Sequence, residues 1–123
     1  MRGISFETVA EILAFRDERD WKQFHNPKDL AISISLEASE LLECFQWSGP
    51  DTNVESKKIA MKAEVADILT YCLLFCDRMG IDPEDAIKEK LAETRQKYPV
   101  DLSRGSSSKY TELKLSHEKD KSR

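Results

Sequence analysis

Asn26-Pro27-Lys28-Asp29-Leu30-Ala31-Ile32-Ser33-Ile34-Ser35-Leu36-Glu37-Ala38-Ser39-Glu40-Leu41-Leu42-Glu43-Cys44-Phe45-Gln46-Trp47 decides the fold. It opens with an N-cap residue and a proline, whose missing N–H costs nothing at the first helical position. Apolar residues then recur at three-and-four spacing, and Ser48-Gly49-Pro50-Asp51 follows as a stop. The pattern predicts a helix from Pro27 to about Trp47. Ile32 and Ile34 sit inside a helical period, so they do not signal a strand.

The same punctuation recurs on both sides. Ser5 caps a first helix to about Arg19, with Phe6, Val9, Ala10, Ile12 and Leu13 on one face. Trp21 to His25 connects it to the second. A polar linker through Asn53 leads to a third helix over about Glu55 to Met79, stopped at Gly80. Asp82-Pro83 begins a fourth, which Tyr98-Pro99 closes. The reading is all-α with four helices. Residues 1–100 form one domain. Residues 101–123 are a C-terminal segment with a flexible Arg104-Gly105-Ser106-Ser107-Ser108 connector and a disordered end of about eight residues.

The 123 residues carry 19 Lys and Arg against 23 Asp and Glu, a net charge of −4. That balance excludes a general nucleic-acid binder working by phosphate neutralisation. Residues 101–123 hold six basic and four acidic side chains, which leaves −6 on residues 1–100. No run is long enough to span a bilayer and the start is not a signal peptide, so no membrane partner is expected. Cys44, Cys72 and Cys76 lack paired spacing and read as reduced, packed thiols of a cytoplasmic protein.

Two acidic pairs break the surface pattern. Glu37 and Glu40 in the second helix, and Glu64 and Asp67 in the third, each stand three residues apart and point to one side of their helix. The short linker favours antiparallel packing, which sets the pairs opposite each other. Four converging carboxylates repel one another unless cations balance them. All-oxygen ligation without a neighbouring His or Cys suits Mg²⁺, or Mn²⁺, rather than zinc or copper. A di-iron bundle needs Glu-x-x-His, which neither His25 nor His117 supplies. The competing reading makes each pair the acidic rim of an amphipathic helix.

Tyr71 lies one turn beyond Asp67, and Arg78 shares the angular position of Glu64. They suit base and phosphate contacts, or a core tyrosine and a cation at a helix C-terminus. Trp21, Phe24, His25 and Trp47 flank the second helix and suit either base stacking or an interface.

These residues together resemble a known family. Leu36-Glu37-Ala38-Ser39-Glu40-Leu41 with Glu64-Val65-Ala66-Asp67 matches the E-x-x-E and E-x-x-D motifs of the MazG-like all-α nucleoside triphosphate pyrophosphohydrolases. The stretches Glu18 to His25, Glu43 to Trp47, Lys97-Tyr98-Pro99, Arg104-Gly105-Ser106 and Lys109 to Leu113 resemble its dCTP pyrophosphatase branch. The resemblance covers roughly residues 5–115. It implies a four-helix bundle assembling as an oligomer, a homotetramer. It also implies Mg²⁺ held by Glu37, Glu40, Glu64 and Asp67, and hydrolysis of dCTP or a modified pyrimidine triphosphate to monophosphate and pyrophosphate, cleansing the nucleotide pool.

By the same resemblance Trp21, Trp47 and Tyr71 line the nucleoside pocket with His25 close by, and Arg78 and Lys90 meet phosphate oxygens. Glu37 or Glu40 is the candidate to take the proton of the attacking water. Many members carry Lys-Asn shortly before Lys-Tyr-Pro, where this chain has Glu93 and Thr94. Thr94 can still donate to phosphate, but an inward Glu93 would repel it. The first helix offers the base mostly Ile12, Leu13 and Phe15. Two alternatives follow: a nucleotide-binding helical module without turnover, and a phosphoribosyl-ATP pyrophosphatase.

Overall fold

A computed structural model describes residues 1–121, with side chains to residue 115. Its elements are helical: α1 (Phe6–Glu18), α2 (Pro27–Glu43), α3 (Lys58–Met79), α4 (Pro83–Lys97), α5 (Val100–Ser103) and α6 (Tyr110–Lys121), with 3₁₀ turns at Lys22–Phe24 and Glu55–Lys57. Among the described residues there is no strand, as the periodicity requires.

The helix starts follow from their caps. Ser5 Oγ accepts from the Thr8 amide at 3.1 Å, and Asn26 Oδ1 accepts from the Asp29 amide at 2.9 Å with Pro27 next in line. Gly80 ends α3 at φ +65°, and the Ile81 amide donates back to the Cys76 carbonyl at 2.9 Å. A left-handed residue there lets the chain leave the helix while satisfying its last carbonyls.

Two boundaries differ from expectation. α2 stops at Glu43 rather than near Trp47: Phe45, Gln46 and Ser48 donate three residues back, and Trp47 turns left-handed at φ +66°. Gly49 precedes Pro50, which bars it from the right-handed helical region, and it adopts φ +58°. α3 begins at Lys58, after the 3₁₀ turn. Asp51 Oδ1 accepts from the Asn53 and Val54 amides at 3.1 and 3.0 Å, a local turn that competes with helix and holds Val54 at φ +47°.

The chain divides into two compact units, Met1–Asp82 and Pro83–Arg123. In the first, α2 packs along α3 and α1 touches α3 over a much smaller area. Leu30, Cys44, Val54 and Leu74 are its buried apolar residues. In the second, the Tyr110 amide donates to Tyr98 Oη at 3.0 Å, so α6 starts against the end of α4. The expected disorder of the last eight residues falls where side chains from 116 and the backbone of 122 and 123 lie outside the described residues.

Candidate active site

The α2–α3 pairing sets Glu37 and Glu40 against Glu64, with one carboxylate oxygen from each within 4.8 Å of the others. Glu37 and Glu64 are half-buried and Glu40 is exposed. Glu37 Oε2 and Glu64 Oε2 are buried acceptors without a hydrogen-bond partner. Such orphaned oxygens are costly in a folded protein.

The cluster resists ionisation accordingly. Glu64 is pushed up to about 7, first by a proton shared with Glu40, then by burial and by the charges of Glu40 and Glu37. Burial leads in raising Glu37, followed by Glu40's hydrogen bond and charge and by Asp67's charge, while the bond to Glu64 pulls the other way. Orphaned oxygens on carboxylates that cannot all be charged are what a hard divalent cation would satisfy. Asp67, a turn beyond Glu64, is exposed and acts on Glu37 through its charge.

Asp67 also borders a 180 Å³ hollow between α1, α3 and the turn before α2, whose walls include Phe15, Trp21, His25 and Tyr71. Trp21 meets Phe15 edge-on, with ring centroids 5.6 Å apart and planes at 78°. His25 Nδ1 is buried without a partner, and its pKa is lowered by burial and then by Arg16, which keeps the ring neutral. Three of the four expected carboxylates thus meet, and the fourth links them to a hollow holding Trp21, His25 and Tyr71.

Trp47 and Arg78, in the same unit, lie away from the carboxylates. Trp47 is 92% exposed in the turn after α2. Arg78 borders a different hollow with Asp20, Lys22, Gln23 and Asn26. Fourteen helical residues put about 21 Å of axis between Arg78 and Glu64, so shared angle did not mean shared site. Lys90 and Thr94 belong to the second unit. There Lys90 pairs with Glu93 at 3.3 Å and Thr94 Oγ1 donates to the Lys90 carbonyl at 2.8 Å. Glu93 also pairs with Lys97 at 3.0 Å.

Sequence reasoning missed Arg16. It is 5% exposed, donates from Nε to Asp17 at 2.8 Å and from Nη1 to Asp77 at 2.6 Å, and borders the aromatic hollow. Its signal was legible: position 16 follows Ile12 and Leu13 at four and three residues, on the apolar stripe. A charge on a buried stripe needs partners.

A model of the MazG-like family matches residues 32–113. The dCTP pyrophosphatase 1 of Mus musculus is 40% identical over 104 residues, covering 80% of this chain and 61% of its own length. That of Homo sapiens is 38% identical with the same coverage. The chain thus spans about 61% of the length of these curated relatives. A solved pyrophosphatase from Archaeoglobus fulgidus DSM 4304 superimposes with a TM-score of 0.71 at 38% identity, over 80% of this chain and 98% of that one. The matched region holds both acidic pairs and two-thirds of the chain, which therefore belongs to the MazG-like family.

Proposed function

We propose that this chain is a divalent-metal-dependent nucleoside triphosphate pyrophosphohydrolase. It converts dCTP, or a modified pyrimidine deoxynucleoside triphosphate, to the monophosphate and pyrophosphate. The observation carrying this reading is the pair of orphaned oxygens, Glu37 Oε2 and Glu64 Oε2, in a carboxylate cluster linked through Asp67 to an aromatic hollow. The relatives named dCTP pyrophosphatase support the substrate class.

In this reading Glu37, Glu40, Glu64 and Asp67 hold Mg²⁺, with Mn²⁺ as a substitute. When bound, the cation neutralises triphosphate charge and acidifies water. Trp21 and Tyr71 flank the base, the neutral His25 ring closes the wall beside them, and the hollow keeps water off the base. The α–β phosphoanhydride breaks as water adds to phosphorus, and the water's proton passes to a carboxylate oxygen of Glu37 or Glu40. Lys90 is a family-implied phosphate contact, and Thr94, standing where many members carry Asn, can still donate to phosphate. Trp47 and Arg78 join a site only across a subunit boundary. We assign the chain to the cytoplasm, in keeping with its three free thiols, and to a homo-oligomer, a tetramer by family resemblance.

Incubation with a triphosphate panel and Mg²⁺, followed by a pyrophosphate assay, tests the activity. Pyrophosphate is expected; orthophosphate with a diphosphate product rejects the assignment. A second reading, nucleotide binding without turnover, draws on Glu93 occupying Lys90 and Lys97 and on Thr94 bonding within its helix. It predicts nucleotide-dependent thermal stabilisation without product. Competition between phosphoribosyl-ATP and dCTP separates the remaining enzymatic alternative.

A further inference from the structure

Arg16 is a buried cation whose hydrogen bonds do not exhaust its donors. A guanidinium carries five N–H groups and no acceptor. One from Nε goes to Asp17 and one from Nη1 to Asp77; among the described residues no hydrogen bond reaches Nη2. The side chain is 5% exposed, yet Nη2 is not among the buried atoms that lack a partner, so it keeps an opening to water, and the hollow shared with Trp21, His25 and Tyr71 is space that Arg16 borders. A fixed donor served only by water can be taken over by a ligand whose acceptors match it, whereas a ligand that displaces the water without supplying acceptors leaves the donor unpaired. The two carboxylates also fix the group. Asp17 follows Arg16 on α1 and Asp77 lies in the last turn of α3, so the guanidinium plane is held from two elements.

We propose that Arg16 is the specificity-determining residue of the hollow, selecting cytosine by donating to its adjacent N3 and O2 acceptors. This rests on the nucleotide reading above. Among pyrimidines the chemistry discriminates sharply. Cytosine presents two neighbouring in-plane acceptors that match a planar donor fork. Thymine and uracil carry an N3–H between their carbonyls, which would meet the guanidinium donor to donor. Phe15, Trp21 and Tyr71 supply apolar ring faces for a flat heterocycle but cannot tell one pyrimidine from another.

Calorimetric titration of the full chain with nucleoside monophosphates in magnesium buffer tests this without requiring turnover. dCMP should bind about tenfold or more tighter than dTMP. 3-Deaza-dCMP, which replaces the N3 acceptor by C–H, should lose most of that advantage on the unaltered protein, so the test survives a variant that fails to fold. Arg16→Lys keeps the charge but not the fork and should cut the dCMP:dTMP preference to about twofold or less.

Equal binding of dCMP and 3-deaza-dCMP, an Arg16→Lys preference equal to wild type, or dGMP binding tighter than dCMP overturns the proposal. So does the absence of measurable binding by any monophosphate. If no triphosphate yields pyrophosphate while dCMP preference still depends on Arg16 and on N3, the proposed activity falls and the assignment of Arg16 stands.

Discussion

At the residue scale, the decisive side chains carry charge where the helix pattern asks for something apolar. Glu37 and Glu64 titrate above the ordinary carboxyl value of 4.5, Glu64 at about 7. Between those values the folded chain binds more protons than the unfolded one, so these groups make metal-free stability fall as pH rises through that window. His25 opposes them: its folded pKa lies below 6.5, so its contribution grows as pH rises toward 6.5. The informative quantity is therefore the difference between wild type and Glu64→Gln. In EDTA, the variant's melting temperature should gain on wild type as pH rises from 4.5 to about 7, and Mg²⁺ should narrow the gap. A gap that shrinks with rising pH in EDTA refutes the cluster's electrostatics. Substitution of the proposed ligands, Glu40→Gln or Asp67→Asn, should lower kcat/KM by about a hundredfold or more with the fold retained by circular dichroism. The acidic residues were legible because their spacing is regular. The place of Arg16 on the apolar stripe was legible too, but its partner Asp77 was not, because it lies 61 residues away and sequence order does not display it.

At the element scale, starts were easier to read than ends. Ser5 and Asn26-Pro27 act through side chains within three residues, so their effect is visible in a short window. The end of α2 was hidden because Cys44, Phe45 and Trp47 keep the apolar rhythm after the backbone has tightened into three-residue turns. The caps carry measurable stability. Asn26→Ala should cost about 1 kcal/mol in a urea titration by removing the acceptor for the Asp29 amide. Gly80→Ala should cost about 1 kcal/mol as well: nothing lies within 4 Å of an added Cβ, so the loss comes from the left-handed backbone alone. An unchanged midpoint for either variant would remove that cap from the account.

At the scale of the whole molecule, the apolar surface is larger than a solitary chain of this size should carry. Leu36, Leu42 and Ile59 are 60%, 71% and 87% exposed on α2 and α3, while Leu30 is the one side chain buried to within 2% among the described residues. Self-association is the proposed remedy. Light scattering should give a mass that is a multiple of 14.1 kDa, and Leu36→Lys with Ile59→Lys should lower both the mass and the melting temperature. A monomer of unchanged stability in the wild type would reject the assembly.

The Arg16–Asp77 ion pair has a further consequence for how the molecule opens. α2 and α3 are successive helices packed along their lengths, whereas α1 is tied to α3 over a small area, with a bond closing 61 residues of chain. Local pairing forms at low entropic cost and is lost last; a small, distant contact is lost first. α1 is therefore the foldon that detaches while α2 and α3 stay paired, and its departure removes one wall of the hollow. A molecule seated there would act as a latch on α1. Its binding would be read in amide exchange, as protection gained along residues 6–18 far beyond the few residues it touches.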